Sequence, residues 1–581
     1  MAGPCSLPRA GGEARHRAMQ LLALLVVVAG LAAADPQRRP TRHDVLALGR
    51  RALSSSSGGA AHLPSSRVVA RAAPGSTFAR FLAGDTSAPQ CGRSDPESPG
   101  GSIYPADSGA DATGRKDSSD AMDAAVAQAM LRNTSARKMG TPKYDIADLG
   151  GVTIDLRGGD YLLSRPIVLP RGYGNIRFAH GSLRADPETF PMSRYLLEIS
   201  DVNKTECARL GGRGASCNED ISIEDIFFDG SHRAYGCLQI SNTMGANVGP
   251  NIYVLNFVRA GITVHGGHEA MIHEAWLGAN YFGTTNHTLL EAGSTAIEVL
   301  GNDHVISDVV IFGGQTGVYT ANGANLLTGI HTWNDATHAQ SPGHGIVVDG
   351  TQSVRVIGCY LDYTALRLVI IHPNPIHLCV VGVLCTNVLG FAYAIYQVDP
   401  VHISVVDTFF LGGATLVVAA GEKATVSGLT IMDNTWNQFN KGDWSKGNVT
   451  VVVDERNGTF QKVTDVVMLG NVGSSAGRAS ITTRAVTATQ TLTQHTPSTR
   501  WDFDFSPFFA FPNLGIVDVQ YSIEIGSRAP DASGQAVGAG SFARHASRPP
   551  VGQRVAVETD VPVVGTVTLT ATQGVFTPGN R

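Results

Sequence analysis

The chain has 581 residues, of which 43% are hydrophobic and only 16% charged, with 66 glycines. Charge this sparse excludes a disordered chain or a coiled coil, both of which need many more charged residues. The formal net charge of -5, without a long basic run, excludes nucleic acid as the main partner, because phosphate binding needs clustered Lys and Arg.

The first element is a secretion signal. Arg9, Arg15 and Arg17 precede an apolar run from Leu21 to Leu31, and Ala32, Ala33 and Ala34 offer small residues for cleavage before Asp35. Residues 1–34 therefore read as a signal peptide, with an uncleaved anchor as the alternative; the run is short for a membrane span. Export puts the chain in an oxidising compartment, where cysteines pair. Beyond the signal stand Cys91, Cys207, Cys217, Cys237, Cys359, Cys379 and Cys385, an odd number, so at least one thiol stays free or pairs between chains. Cys207 and Cys217 flank a Gly-rich loop and are the expected disulfide. Sequons at Asn133, Asn203, Asn286, Asn448 and Asn457 fit a secreted glycoprotein.

Residues 35–97 are rich in Ala, Ser, Gly, Arg and Pro and read as a low-complexity, flexible leader. A helix is expected from Ser118 or Ser119, with Asp120 in its first turn and Met122, Ala125, Val126, Ala129 and Met130 on one face. Short strands follow at Val152 to Leu156, Tyr161 to Leu169, Ile176 to Phe178 and Ile221 to Phe228. Then a repeat emerges. The segments G-I-T-V-H-G-G-H from Gly261, A-I-E-V-L-G-N-D from Ala296, G-V-Y-T-A-N-G-A from Gly317 and G-I-V-V-D-G-T-Q from Gly345 align without gaps, and their starts differ by 35, 21 and 28 residues.

Unequal periods of this size indicate a solenoid whose strands stack while its loops vary. In each segment the second and fourth residues, such as Ile262 and Val264 or Ile297 and Val299, should point inward, and the third and fifth outward. The fold expected is all-β, a right-handed single-stranded parallel β-helix over residues 98–475. The N-terminal helix caps the strand edges that the first coil would otherwise expose. Residues 476–581 read as a C-terminal β extension. One stretch departs from the pattern. From Leu368 to Val398 there is no Lys, Arg, Asp or Glu, and residues 369–397 read as an anomalous apolar insert that disturbs the stacking. A membrane span there would put successive coils on opposite sides of a bilayer.

The passage Y-P-A-D-S-G-A-D-A-T-G-R-K-D-S-S-D-A-M-D from Tyr104 resembles the opening segment of pectate-lyase-like β-helices. A-D-L-G-G-V-T-I-D-L from Ala147, G-G-H-E from Gly266, N-D-H-V-I-S-D-V-V-I-F from Asn302, C-Y-L-D-Y-T from Cys359, R-W-D-F-D-F-S-P from Arg500 and V-E-T-D from Val557 resemble one branch of them, the plant QUARTET-type polygalacturonases. That resemblance implies cleavage of α-1,4-galacturonosyl bonds of polygalacturonan, with endo action and a role in pollen tetrad separation. Related enzymes of glycoside hydrolase family 28 are inverting and carry acids in N-T-D and D-D motifs, followed by G-H-G-I. Here Gly343, His344, Gly345 and Ile346 reproduce the last motif, whereas Thr295 and Thr316 stand where the acids are usual.

Hydrolysis of a glycoside needs one carboxyl to protonate the leaving oxygen and another to serve water or attack. Glu298 and Asp349 are the candidate acid and base, Asp303 a further carboxylate, and His344 a substrate orienter. Each has a plainer reading, Asp303 with Asp308 as turn caps and Glu298 and Asp349 as solvated carboxylates. Arg259, Arg355 and Arg367 are candidates to grip substrate carboxylates. Trp333 is the candidate to stack on sugar, with Tyr319, Tyr360 and Tyr363 behind it. His265, His268 and His273 are expected to scatter over different faces, so no metal and no cofactor is expected. Polygalacturonan is the expected partner of a monomer, with no nucleic acid and no membrane. Two rivals stay open: a pectate lyase-like eliminase, and a pectin-binding β-helix without catalysis.

Overall fold

The computed structural model describes residues 101–132, 146–200, 207, 216–279, 293–321, 323–333, 344–349, 353–362, 367–371, 378–381, 384–386, 395–411, 416–437, 450–474, 483–528 and 543–574. The signal, the leader and the sequons at Asn133, Asn203, Asn286 and Asn448 lie outside these residues. Asn457 lies within them and is exposed.

The chain winds as a right-handed parallel β-helix. A representative coil runs Thr316–Ala321, Leu326–Thr328 and His331–Trp333, and each of these strands pairs in parallel with its counterpart on the next coil. Three faces result. The first face carries Tyr195–Ile199, Gly236–Ser241, Ala260–His268, Thr295–Asn302, Thr316–Ala321 and His344–Asp349 in succession.

The inward row of this face is Leu238, Ile262, Ile297, Val318 and Ile346, register partners from coil to coil. All have 0% exposure. Each coil thus buries an apolar side chain against its neighbours, worth about 1.5–3 kcal/mol apiece. Corners fall at short polar residues. Asp303 and Asp308 have φ of 62° and 53°, a left-handed conformation that Asp and Asn tolerate better than other side chains.

The helix spans Ser119–Leu131 and buries Met122, Ala125, Val126 and Ala129 against the first coils. Ser118 occupies the N-cap position, but its hydroxyl accepts from Asp111 N–H, and Asp117 Oδ1 accepts from Ser119 N–H at 3.1 Å. Several early strands run longer than their apolar cores, as in Tyr173–Ala185 and Asn218–Asp229, because the parallel ladder continues through polar residues. The Cys207–Cys217 disulfide is formed, while Cys237 and Cys359 are buried thiols.

The stretch from Leu368 to Val398 behaves differently from an insertion. Its strands Arg367–Ile371, Leu378–Val381, Leu384–Thr386 and Ile395–Val398 pair on both sides with neighbouring coils, one on each face before returning to the first. The segment therefore completes a coil. Among the described residues of this stretch one register shift occurs, between His344 and Val347, where the coil joins its predecessor. Among the described residues no helix is long and apolar enough to cross a membrane.

After the last coil, the antiparallel strands Thr487–Asp504, Ile516–Arg528, His545–Ser547 and Arg554–Gln573 form a separate sheet. It has its own core around Trp501, Phe503, Phe505 and Phe509. Phe511 belongs instead to the β-helix core and meets Phe460 edge-on at 6.1 Å.

Candidate active site

The outward row of the first face decides which candidate residues meet. Glu198, Gln239, Thr263, Glu298, Tyr319 and Val347 are successive register partners. Alternation with buried Ile297 and Val299 turns Glu298 outward. Asp349 lies two residues beyond Val347 on the same strand, beside Ala321. With coils about 4.8 Å apart and a rise of about 3.3 Å per residue, the Glu298 and Asp349 Cα atoms stand about 12 Å apart.

Between them sits Tyr319, whose hydroxyl donates to Asp349 Oδ2 at 2.7 Å. Burial first, then the hydrogen bond to Asp349 and the charges of Asp349 and Glu298, push the Tyr319 phenol well above its usual range, so it stays protonated. On the other side, Thr263 donates to Glu298 Oε2 at 3.3 Å and shares a 2.9 Å hydroxyl contact with Tyr195. Glu198, in the same row, is taken up by Arg194, which donates to its two oxygens at 2.8 Å and 2.5 Å.

His344 starts the Asp349 strand and is the register partner of Thr316, itself paired with Thr295. One row thus holds Thr295, Thr316 and His344, and the Arg367 backbone follows as the next partner. Arg259 precedes the first-face strand that begins at Ala260, and its carbonyl accepts from Thr295 N–H at 2.7 Å. Glu298, Asp349, His344, Arg259 and the Arg367 backbone therefore gather on one face.

Four candidates do not join them. Trp333 lies on the third face, edge-on to Phe312 at 5.4 Å, and ends an outer stack in which Phe227, Tyr253, Trp276 and Phe312 follow one another at 6.4, 6.1 and 5.1 Å. Tyr360, on that same face, stacks on His331 at 4.6 Å. Arg355 is exposed on the second face between Val354 and Val356. Asp303 sits at the corner between the first and second faces, accepts from Asn302 Nδ2, and lies 3.6 Å from His268 Nδ1. Chain proximity misled here, because a few residues suffice to turn a corner. Tyr363 lies outside the described residues.

The three histidines do separate. His273 bonds Asn247 Oδ1 at 3.0 Å on the second face, His265 lies on the first, and His268 lies where they meet. His268 has company, however. It, Glu269 and Asp303 bring one ligand atom each within 4.8 Å of one another, a donor set of the kind divalent cations take. Glu269 is the chain neighbour of His268, whereas Asp303 arrives from the next coil.

Residues missed by sequence reasoning are Glu198, Gln239 and Tyr195, and the bridging role of Tyr319. The segments Y-L-L-E-I from Tyr195 and G-C-L-Q-I from Gly236 carry the signal, since they continue the aligned repeat backwards.

Polygalacturonase QRT3 of Arabidopsis thaliana is 32% identical to the chain over 482 residues, which cover 82% of this chain and 85% of that protein. The chain belongs to this polygalacturonase family. No family profile matches it. Solved structures with similarity include an exopolygalacturonase from Thermotoga maritima, at 13% identity and a TM-score of 0.37 over 65% of this chain and 93% of that one. The A-module of mannuronan C-5 epimerase AlgE4 from Azotobacter vinelandii scores 0.38 at 11% identity, over 65% of this chain and 98% of that one. The Dettilon tailspike protein scores 0.40 at 11% identity, over 81% and 94%. In this member of the QRT3 polygalacturonase family, threonines occupy the row where acids were expected, and the nearby carboxyls lie one row or more further along the first face.

Proposed function

We propose that the protein is a secreted glycoside hydrolase that cleaves α-1,4-galacturonosyl bonds of polygalacturonan in the plant cell wall. Its expected setting is pollen mother cell wall breakdown and microspore separation. The observation that carries this reading is the presence of Glu298 and Asp349 two coils apart on one outer face, with Tyr319 between them, in a chain 32% identical to a polygalacturonase.

Side chains leaning together from Cα atoms about 12 Å apart can bring their carboxyls within the roughly 6.5–9.5 Å of inverting glycosidases. In this mechanism Glu298 gives its proton to the glycosidic oxygen as the bond to the anomeric carbon breaks. Asp349 takes a proton from the water that attacks that carbon from the opposite side. Glu298 regains a proton from solvent, and Asp349 releases its own. His344 at its strand start, with Arg259, would orient a polyanionic chain along the face. No step calls for a cofactor.

The test is the release of reducing ends from de-esterified polygalacturonan by the parent, Glu298→Gln, Asp349→Asn and the double variant. Loss of about 10²–10⁴-fold in each, with folding intact, is expected for an acid and a base. Unchanged activity in the double variant would overturn the site assignment. Unsaturated products would indicate the eliminase. Retention on pectin without any product would favour the binding module, for which the threonine row Thr295 and Thr316 speaks.

A further inference from the structure

We infer that Tyr319 is the positioning residue that makes Asp349 the base and leaves Glu298 the acid. This rests on the hydrolase reading above. The two carboxyls have unlike surroundings. Asp349 accepts a 2.7 Å hydrogen bond from a phenol that stays protonated, whereas the contact of Glu298 with Thr263 is longer, 3.3 Å, from a hydroxyl already engaged with Tyr195. A charge-assisted hydrogen bond favours the carboxylate that accepts it. A base must be that carboxylate, and an acid must hold its proton.

The register explains why one residue serves both. Tyr319 is the coil-to-coil partner of Glu298, and its side chain reaches along the next coil to Asp349. The phenol is thus a spacer as well as a donor. It fixes the direction in which Asp349 points and fills the surface between the carboxyls, where Ala321 and Val347 offer no polar group. The ionisable side chains that neighbour it in the ladder are Glu298 on the preceding coil and Asp349 and His344 on the following one. No charged residue separates Tyr319 from Asp349 in the ladder.

The experiment compares kcat, KM and the pH profile of the parent and Tyr319→Phe on oligogalacturonates, in the parental and Asp349→Asn backgrounds. Removing one hydrogen bond to a charged group should lower kcat about tenfold or more, with KM within about twofold. The acidic limb of the profile should move to higher pH. In the Asp349→Asn background Tyr319→Phe should change nothing further, which a purely structural role would not produce. Thermal unfolding of Tyr319→Phe shows whether the exchange has left the fold intact. An unchanged kcat and profile in Tyr319→Phe, while Glu298→Gln and Asp349→Asn lose about 10²–10⁴-fold, overturns the role of Tyr319 and leaves the hydrolase reading standing. Full activity in Glu298→Gln and Asp349→Asn overturns both.

Discussion

Tyr195 and Thr263, 68 positions apart in the chain, join their hydroxyls at 2.9 Å on the outer side of the first face. Tyr195 is 7% exposed, and burial is the main reason its phenol is pushed above the usual range, so it remains a donor. Thr263→Val leaves that donor buried without its partner and should cost about 1–3 kcal/mol. The double variant Thr263→Val, Tyr195→Phe should recover most of the loss, because removing both partners is nearly neutral. Urea unfolding of the four proteins measures the coupling, and additive losses would count against the contact.

His180 and Asp155 predict a pH dependence of stability. Their nearest atoms are 3.2 Å apart, with Asp225 at 3.8 Å and Glu224 also near. The hydrogen bond that His180 donates to Asp155 leads in raising the imidazole above 6.5, against burial. Burial pushes Asp155 up, but the hydrogen bonds from His180 and Arg157 N–H outweigh it and hold the carboxyl below 3.8. A raised imidazole stabilises fully below its unfolded value and loses that effect as pH rises through its folded one. The lowered carboxyl stabilises above its unfolded value and loses the effect as pH falls. The pair therefore contributes most between about pH 4 and pH 6.5. His180 has φ of 64°, so His180→Asn keeps a residue that tolerates this backbone. Its thermal midpoint should fall below the parent's most at pH 5, and the gap should narrow by pH 8.

Asp399 ties one coil to the next at the end of the apolar stretch. Its Oδ1 accepts from the N–H of Gly421 at 2.8 Å and of Thr425 at 3.2 Å, and its Oδ2 from Lys423 N–H at 2.9 Å. Asp399→Asn keeps the shape and turns one acceptor into a donor facing an N–H. A loss of about 1–3 kcal/mol is expected in chemical denaturation, with deuterium exchange faster at Gly421 to Thr425.

Phe511 carries the C-terminal sheet's contact with the β-helix core. It is 2% exposed, and its carbonyl also accepts from Gln553 Nε2 at 2.8 Å. Phe511→Ala should destabilise by about 3–5 kcal/mol, whereas truncating the exposed Phe508 should change stability by less than about 0.5 kcal/mol. Equal effects would refute the anchoring role of Phe511.

Much of the β-helix was legible because its rule is local. Residues such as Ile297 and Val299 alternate with outward positions, and Gly or Asp returns at corners, so aligned segments reveal stacking without any knowledge of partners. The apolar run from Leu368 escaped that rule. It lacks the polar turn residues that mark strand ends, so nothing in its pattern distinguishes a coil from an insertion, and only its pairing with coils on either side does.

The candidate site was legible in part. Outward orientation of Glu298 follows from alternation, and His344 from a motif, but Trp333, Arg355 and Asp303 are near them only in the chain and lie on other faces or at a corner.

By itself the sequence determined the coil, the N-terminal helix, the Cys207–Cys217 pair and which residues of each strand turn outward, because these depend on side-chain period and local backbone preference. Only the tertiary structure decided that Glu298 meets Thr263 and Tyr319, that Tyr319 reaches Asp349, and that His268 meets Asp303. Those contacts depend on register between coils whose loops differ in length, and a coil-to-coil register exists only once the strands have paired.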